Sequence, residues 1–457
     1  MVEPRIVPRE EHPLSRRDVD PDALKVLYRL RQFDHIAYLV GGSVRDLLLG
    51  RHPKDFDIGT SAHPYQVKKL FRNCWIIGRR FRLAHVKFGP KVIEVATFRR
   101  QVAAGEEVVA DGVPAHVLHD RAERDEGIPA ERDRDADAPE VDDQRGTGSP
   151  GVDNIHLIHR DNTFGTPEED AFRRDFTINA LFYDIATFSV IDYVGGLDDL
   201  RAGIVRSIGD PDVRLREDPV RMIRAIALAS RLRFAIEPTL LEAIRTHRRE
   251  IAKSSPPRLL EEFYKILRAG ASEKAFRGLA AVGLLEPISS ELHHAAADDE
   301  ASLWRSLAAL DAYRNRFEST PDSLTNSLLL GSLVVPLGMS LQSGRAPEGG
   351  RRPTALRLGE LPLARRDVER LRQIVGLQRR LRDISASPRA QRALAHRHIF
   401  REALTWLEIH GHAPDLVEHW KGLLAESGAT EAPAQYATEQ PPFRRRRRRR
   451  RRRRIEV

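Results

Sequence analysis

The sequence predicts an α+β protein in which a small mixed β-sheet head domain is followed by an all-helical neck and body. Two observations predict this division. Up to about residue 200, short apolar runs bounded by turn residues alternate with short helical patterns, and such runs are typical of strands. From Arg214 to about Glu426, stretches rich in Leu, Ala and Arg recur with helical spacing.

The elements of the head follow from local signals in chain order. Asp20 followed by Pro21 predicts a helix start, because Asp caps helices well and Pro fits the first helical position. A second helix start is predicted by the capping box that begins at Thr166 and includes Glu169; we expect that helix to carry residues 173–175. Strands are expected at His35–Val40, Phe56–Thr60, Lys91–Phe98 and Ser189–Val194, with a helix at Val44–Leu49.

Composition shifts divide the 457 residues further. Residues 101–153 have little apolar periodicity, so we expect a disordered insertion in a loop of the head. The expected segments are a flexible N-terminal segment (1–20), the head (21–200), a helical neck (201–270), a helical body (271–426) and a disordered tail (427–457).

Charge is strongly segregated along the chain. The insertion holds 15 acidic and 5 basic residues, whereas Arg444–Arg454 is an unbroken run of 11 arginines. A basic run attracts phosphate backbones without reading sequence. We therefore expect Arg444, Arg445, Arg446 and Arg447 to bind RNA; the alternative is a solubilising tail with no such role.

Cysteine usage and hydropathy bear on the setting of the protein. Cys74 is the only cysteine, which excludes a disulfide within the chain and suits a reducing cytoplasm. No apolar run is long enough to span a membrane, and the N-terminal residues lack the apolar segment of a signal peptide. We therefore expect a cytoplasmic protein without a membrane partner.

Two aspartates and a glycine turn are the candidate centre of the chemistry. Asp55 and Asp57 alternate with Phe56 along a predicted strand, so both carboxylates point to one face. Mg²⁺ suits such a pair, because it takes oxygen ligands together with substrate phosphates. Gly41-Gly42-Ser43 breaks the preceding strand, where backbone amides can approach a phosphate. Alternatively, the pair is an ordinary surface feature and the glycines form a simple turn.

Two further positions are candidates for the same site. Glu94 is a charge inside an apolar strand and is an uncertain third metal ligand; it could equally face solvent. Asp175 follows Arg173 and Arg174, so the arginines could balance phosphate charge while Asp175 orients ribose or metal; a local salt-bridge cluster is the alternative. Two-metal phosphoryl transfer would suit this set of groups.

The motifs resemble those of a known family. Residues 39–50 (LVGGSVRDLLLG) and 54–57 (KDFD) are similar to the head signature of the superfamily of tRNA CCA-adding enzymes and bacterial poly(A) polymerases. Three further segments resemble later motifs of the same superfamily. Residues 173–181 (RRDFTINAL) resemble its second motif, residues 195–200 (GGLDDL) its hinge, and residues 217–225 (EDPVRMIRA) its nucleotide-selecting motif.

The resemblance implies a role for each matching residue. Asp55 and Asp57 would hold two catalytic Mg²⁺ ions, and Gly42 and Arg45 would lie near the triphosphate. Asp175, with Arg173 and Arg174, would belong to the catalytic and ribose-contacting group. Asp218 and Arg221 would face the incoming base.

The base-facing pair does not by itself select one nucleotide. Asp218 offers acceptors and Arg221 donors, which suits adenine and cytosine alike. Residues 71–74 (FRNC), 78–86 (GRRFRLAHV) and 93–99 (IEVATFR) resemble the poly(A) branch. The resemblance therefore implies AMP addition from ATP to RNA 3′ ends, promoting RNA turnover, with RNA-degradation machinery as a candidate partner. CCA addition to tRNA and a non-catalytic RNA-binding protein are the alternatives; the sequence does not reveal the oligomeric state.

Overall fold

The computed structural model describes residues 3–78, 82–100, 163–341 and 356–428. Eight strands form one mixed sheet: β1 (Arg5–Val7), β2 (Ala37–Val40), β3 (Ile58–Thr60), β4 (Cys74–Ile77), β5 (Leu83–Phe88), β6 (Lys91–Thr97), β7 (Leu181–Asp184) and β8 (Ser189–Asp192). Their order is β1-β8-β7-β2-β3-β6-β5-β4. Neighbouring strands are antiparallel except β3 and β6, which are parallel. The predicted mixed-sheet head is confirmed.

Four helices accompany this sheet: α1 (Pro21–Gln32), α2 (Gly42–Leu48), α3 (Pro64–Leu70) and α4 (Pro167–Phe172). Both predicted caps are confirmed. Asp20 Oδ1 accepts from the amides of Asp22 and Ala23 at 2.9 and 3.1 Å. Thr166 Oγ1 accepts from the Glu169 amide at 3.2 Å, and Glu169 accepts in return from the Thr166 amide at 2.7 Å. The second cap fixes the start of the helix that leads into residues 173–175.

The two faces of the outer strands β4, β5 and β6 differ in environment. Helix α3 contacts these three strands, and the side chains of Cys74, Val86 and Ile93 are buried. Cys74 is thus a small buried residue of the sheet. The alternate residues of the same strands are partly or fully exposed, which leaves one face accessible.

Helices dominate the chain after the sheet, as predicted. The short strand pairs β9 (Ile204–Val205) with β10 (Ala235–Ile236) and β11 (Arg357–Leu358) with β12 (Leu361–Pro362) interrupt them. The helices are α5 (Gly196–Ala202), α6 (Pro211–Glu217), α7 (Val220–Leu232), α8 (Pro238–His247), α9 (Pro256–Arg268), α10 (Ser272–Ala281), α11 (Ser290–Ala296), α12 (Ser302–Arg314), α13 (Asn326–Val334), α14 (Arg365–Leu381), α15 (Pro388–Ala395), α16 (Phe400–His410) and α17 (Pro414–Gly428). None of the described helices is long and apolar enough to cross a membrane.

The chain divides into two compact units, Met1–Arg372 and Gln373–Val457. The eight-stranded sheet and every described site residue lie in the first. The expected insertion at 101–153 and nearly all of the expected tail fall outside the described residues. The boundaries expected at residues 200, 270 and 426 stay predictions.

Some local expectations need correction. Arg5–Val7, placed in a flexible N-terminal segment by the sequence analysis, forms the edge strand β1 and pairs with β8; Val7 is buried against the sheet, and a three-residue strand is too short to give a sequence pattern. Strand β3 begins at Ile58 rather than Phe56. Helix α4 ends at Phe172, so residues 173–175 follow the helix instead of lying on it.

Candidate functional site

A sharp turn joins strand β2 to helix α2 and shapes one wall of the site. Gly41 has φ 70° and ψ −127°, a conformation that side-chain-bearing residues rarely adopt. A Cβ on Gly41 would lie 2.8 Å from Nη1 of Arg174. The Ser43 hydroxyl is buried and donates to the Val40 carbonyl at 3.0 Å. The turn therefore brings backbone close to Arg174, while Ser43 supports the turn itself.

Three carboxylates lie at one edge of the adjoining strands. Asp55 and Asp57 come directly before β3 and are exposed, whereas Phe56 and Ile58 between and after them are buried. Strand β3 runs parallel to β6 with Ile58 opposite Val95, so Asp57 lies next to Glu94. We define Asp55, Asp57 and Glu94 as the carboxylate edge.

The electrostatics of the carboxylate edge favour a bound cation. Desolvation in the cleft, the Glu94 carboxylate and then Asp55 raise the pKa of Asp57 to about 6, against the opposing effect of Arg174. A divalent cation would offset this repulsion, and carboxylate oxygens are the ligands that Mg²⁺ prefers. Among the described residues, no three His, Cys, Asp or Glu side chains are grouped closely enough to hold a metal by themselves. The edge thus fits an ion whose remaining ligands come from water and substrate phosphates.

A second acidic group binds the predicted arginines. Asp170 is 2% exposed and accepts from Arg173 Nε at 2.9 Å and from Arg174 Nε and Nη2 at 3.1 and 2.9 Å. Burial alone would raise the pKa of Asp170, but the two guanidinium groups hold it below the usual value. Arg174 Nη1 also donates to the Asn179 carbonyl at 3.1 Å. These contacts fix Arg174 between the glycine turn and Asp57.

Asp175 is buried in a network that includes Arg224 and, through Asn179, the predicted Arg45. Its Oδ1 accepts from the Phe176 amide at 2.8 Å and from Asn179 Nδ2 at 3.1 Å, and Oδ2 lies 2.8 Å from Arg224 Nη2. Burial opposes ionisation, but Arg224, Asn179 and the Phe176 amide hold the pKa of Asp175 below its usual value. Asn179 Oδ1 accepts from the buried Arg45. We define Asp170 and Asp175 with their arginines as the arginine-bound cluster.

A cavity of about 270 Å³ opens beside this network. Its polar lining comes from the head and from helices α7 and α9: Arg45, Asp175, Asn179, Arg224, Arg231, Glu262 and Lys265. Four of these seven side chains are cationic, so the cavity suits an anionic or strongly polar ligand.

The expected base-facing residues lie where α6 meets α7. Asp218 ends α6, and its Oδ2 accepts from Arg258 Nη2 at 2.7 Å, whereas its Oδ1 is buried without a hydrogen-bond partner among the described residues. Arg221 is buried and donates to the Arg214 carbonyl at 2.8 Å and to Glu217 at 3.3 Å. Asp218 therefore has one acceptor oxygen without a partner in the described part of the chain, whereas Arg221 donates to Arg214 and Glu217.

The structure brings together most of the predicted site. The carboxylate edge, the glycine turn and the arginine-bound cluster share one region. Arg221 lies one helix turn before Arg224 on α7, and Asp218 lies just before that helix, at the end of α6. Arg444, Arg445, Arg446 and Arg447 lie outside the described residues. Sequence reasoning missed Arg214, Arg224, Arg231 and Glu262, which have helical spacing but no distinguishing residue type. It also missed Arg214 Nη2 donating to the carbonyls of Arg173 and Arg174, both at 2.7 Å.

Three family models match the chain in order. A model described as "Poly A polymerase head domain" matches residues 37–206. "Probable RNA and SrmB- binding site of polymerase A" matches residues 233–295, and "Polymerase A arginine-rich C-terminus" matches residues 355–454. The head match contains the carboxylate edge and, from the arginine-bound cluster, Asp170, Arg173, Arg174 and Asp175.

Individual relatives agree with these matches. "Poly(A) polymerase I" of Salmonella typhimurium is 47% identical over 283 residues, which are 62% of this chain and 53% of that protein. The protein of the same name from Escherichia coli O6:H1 is 45% identical over the same lengths. A "CCA-adding enzyme" of Lactobacillus johnsonii is 33% identical over 266 residues, 58% of this chain and 54% of that one. The alignments thus span about half the length of these relatives.

Solved structures support the fold. The crystal structure of the Bacillus stearothermophilus CCA-adding enzyme in complex with CTP is 26% identical, with a TM-score of 0.56, and the match covers 89% of this chain and 83% of that one.

Proposed function

This chain belongs to the family of tRNA nucleotidyltransferases and poly(A) polymerases, and from that membership and the geometry of its site we propose that it adds AMP from ATP to RNA 3′ ends. The observation that carries the proposal is the carboxylate edge beside Arg174 and the glycine turn. Anionic oxygens for metal ions and cationic groups for phosphates are adjacent there, as nucleotidyl transfer requires.

In this mechanism the residues of the chain act by positioning and by charge. The backbone at Gly41 and Gly42, with Arg174 and Arg45, would hold the triphosphate. Asp175 would orient the ribose or fix Arg224 at the cavity. The RNA 3′-hydroxyl would attack the α-phosphorus in line with the departing pyrophosphate. No covalent intermediate with the protein is needed.

The metal requirement is proposed as two Mg²⁺ ions held by Asp55 and Asp57, with Glu94 as a further ligand. Bound divalent ions would promote ionisation of the attacking hydroxyl and neutralise the leaving pyrophosphate. Glu94 is half exposed, and its Oε1 lies 3.6 Å from His85 Nε2, so it can turn towards either Asp57 or solvent.

The choice of ATP is supported by the relatives named poly(A) polymerase I, which are more similar to this chain than the CCA-adding relatives. Asp218 Oδ1 would accept from the exocyclic amine of the base. Because adenine and cytosine both carry that amine, this contact excludes neither. CCA addition to tRNA is therefore the second candidate function; the free acceptor permits it, and the likeness to the CTP-bound enzyme favours it.

One assay separates these functions. The chain is incubated with Mg²⁺ and either ATP or CTP, on an unstructured RNA oligomer or on a tRNA lacking its 3′ end. Long AMP tails on the oligomer are expected. Incorporation of CMP on the tRNA alone would replace the proposal with CCA addition, and absence of any transfer would leave only an RNA-binding protein.

The terminal arginine run and the cellular setting complete the proposal. We propose that Arg444–Arg454 binds RNA phosphates non-specifically and that the protein acts in the cytoplasm, where a single cysteine stays reduced. Deleting the run should weaken RNA binding and flatten its salt dependence without changing the unfolding temperature. An unchanged salt slope would refute this role. RNA-degradation machinery remains the proposed protein partner.

A further inference from the structure

A row of side chains crosses the sheet from the carboxylate edge to its outermost strand. Glu94 on β6 pairs with His85 on β5, and His85 pairs with Trp75 on β4. Residues paired in this way point to the same face. The row Asp57, Glu94, His85 and Trp75 therefore spans three strand spacings, or roughly 14 Å.

Trp75 is unusually accessible in this row. It is 52% exposed, and its ring lies 6.0 Å from Lys87 Nζ, which belongs to the neighbouring strand. The chain has four tryptophans, all within the described residues, and the other three are at most 7% exposed. Proteins bind single-stranded nucleic acids with aromatic side chains that stack on bases and with basic side chains that contact phosphates. Trp75 and Lys87 place one of each side by side.

The row extends from the carboxylate edge in the direction from which the RNA primer would approach. The groups proposed to hold the triphosphate, Gly41 and Arg174, lie on the β2 side of Asp57. In-line displacement puts the attacking oxygen opposite the leaving group, so the RNA approaches from the side of β6, β5 and β4. That side carries the row.

We propose that Trp75 and Lys87 form a platform for the RNA primer, on which Trp75 stacks a base upstream of the 3′ end and Lys87 contacts the adjacent phosphate. This inference rests on the proposed function, because the primer direction follows from it. Stacking on an indole tolerates every base, so the platform would hold the growing tail without reading its sequence.

The exposure of Trp75 does not come from poor packing of strand β4. Its neighbour Cys74 is buried on the side that α3 covers, so the strand is seated in the sheet. Truncation of Trp75 should therefore leave the fold intact. Tyr65 on α3, 47% exposed, is a matched aromatic control because it lies on the covered side of the same strands.

Intrinsic fluorescence tests the platform directly, since Trp75 is the one accessible tryptophan. Full-length protein without ATP is titrated with an oligoadenylate. Saturable quenching is expected in the wild type and in Tyr65→Ala, and none in Trp75→Phe. Quenching that is absent in the wild type, or that persists in Trp75→Phe, would overturn the proposal. This readout does not require catalysis, so a failure of the proposed function is recognised separately by the absence of nucleotide transfer.

Steady-state kinetics add a length test. Trp75→Ala should raise KM for an oligoadenylate primer roughly 5- to 10-fold, the lower part of the range for loss of a stacked base, with kcat changed less than twofold. Trp75→Phe should restore KM, Tyr65→Ala should match the wild type, and a dinucleotide primer too short to reach Trp75 should be insensitive. An unchanged KM, or an equal loss on both primers, would contradict the platform.

Discussion

The arginine-bound cluster and the carboxylate edge are neighbouring acidic groups, but the protein shifts the pKa of their carboxylates in opposite directions. In the arginine-bound cluster, Asp170 and Asp175 are almost fully buried, yet guanidinium groups hold the pKa of each below its usual value. At the carboxylate edge, the surface of Asp57 is exposed, yet desolvation by the surrounding protein and then the neighbouring carboxylates raise its pKa to about 6. The arginine-bound cluster contains the cations that neutralise its carboxylates, whereas the carboxylate edge has too few cationic groups to neutralise its own.

This difference indicates that the carboxylates bound by arginines stabilise the fold, whereas those of the carboxylate edge are available to bind a cation. A buried carboxylate bound by arginines is satisfied within the fold, and removing it leaves cations without a partner. A carboxylate raised in pKa by its neighbours is unfavourable in the fold unless a cation arrives. Substitution of Asp57 should therefore lower activity with little effect on stability, whereas substitution of Asp170 should lower stability.

The largest effect is expected at the carboxylate edge. Asp57→Asn keeps the shape of the side chain but removes a metal-binding charge, so the rate of nucleotide transfer should fall on the order of 10³-fold, as a loss of several kcal/mol of metal stabilisation implies. The temperature of thermal unfolding should be unchanged or slightly raised, because the repulsion between Asp57 and the carboxylates of Glu94 and Asp55 is relieved. Transfer at more than a tenth of the wild-type rate would contradict the metal role.

A loss of stability is expected at the arginine-bound cluster. Asp170→Asn should lower the free energy of unfolding by about 2–3 kcal/mol, below the usual cost of breaking a fully buried pair because Arg173 and Arg174 are partly exposed. Urea unfolding measures this. Asp198→Asn, which removes exposed ion pairs with Arg5 and Arg201, is the control and should cost less than about 0.5 kcal/mol.

The pH dependence of stability should carry the same signature. Because the folded-state pKa of Asp170 lies below its ordinary value of 3.8, its ionised form contributes stability above that pH. This contribution is lost as the pH falls through the folded-state pKa. Urea unfolding measured below about pH 4 should therefore show a steeper loss in the wild type than in Asp170→Asn. Parallel curves would show that Asp170 does not contribute.

Magnesium should stabilise only one of the two groups. At an ion concentration about ten times Kd, binding adds about 1.4 kcal/mol, which for a chain of this size is an increase in Tm of about 1–2 °C. We expect this increase in the wild type and in Asp170→Asn, and none in Asp57→Asn. Differential scanning fluorimetry with and without Mg²⁺ measures it, and an equal increase in all three proteins would locate the ion elsewhere.

The sequence predicted the parts of this comparison that depend on local signals. The caps at Asp20 and Thr166, the alternation of Asp55 and Asp57 with Phe56, and the turn at Gly41 each have a signature within a few residues, and the structure contains all of them. The mixed sheet followed by helices was also predictable, because apolar runs and helical periodicity differ along the chain.

Long-range pairing could not be predicted in the same way. The parallel register of β3 with β6, which places Glu94 beside Asp57, depends on which strands become neighbours. The partners of Arg173 and Arg174 were equally hidden, because Asp170 was one acidic residue among several on a capped helix. The sequence showed which charges are present, and only the fold showed which of them neutralise one another.

The smallest effect concerns the helix cap that supports the arginine-bound cluster. Thr166→Ala removes the hydroxyl that accepts from the Glu169 amide at the start of α4, and loss of such a cap costs about 1 kcal/mol. Asp170 lies in the first two turns of that helix, but its ion pairs with Arg173 and Arg174 do not use the hydroxyl. Urea unfolding should thus detect the loss while nucleotide transfer changes less than twofold, and Thr166→Ser should restore stability. A drop in transfer comparable to that of Asp57→Asn would mean that the position of Arg174 depends on the cap, because Arg174 is the contact through which the arginine-bound cluster reaches Asp57.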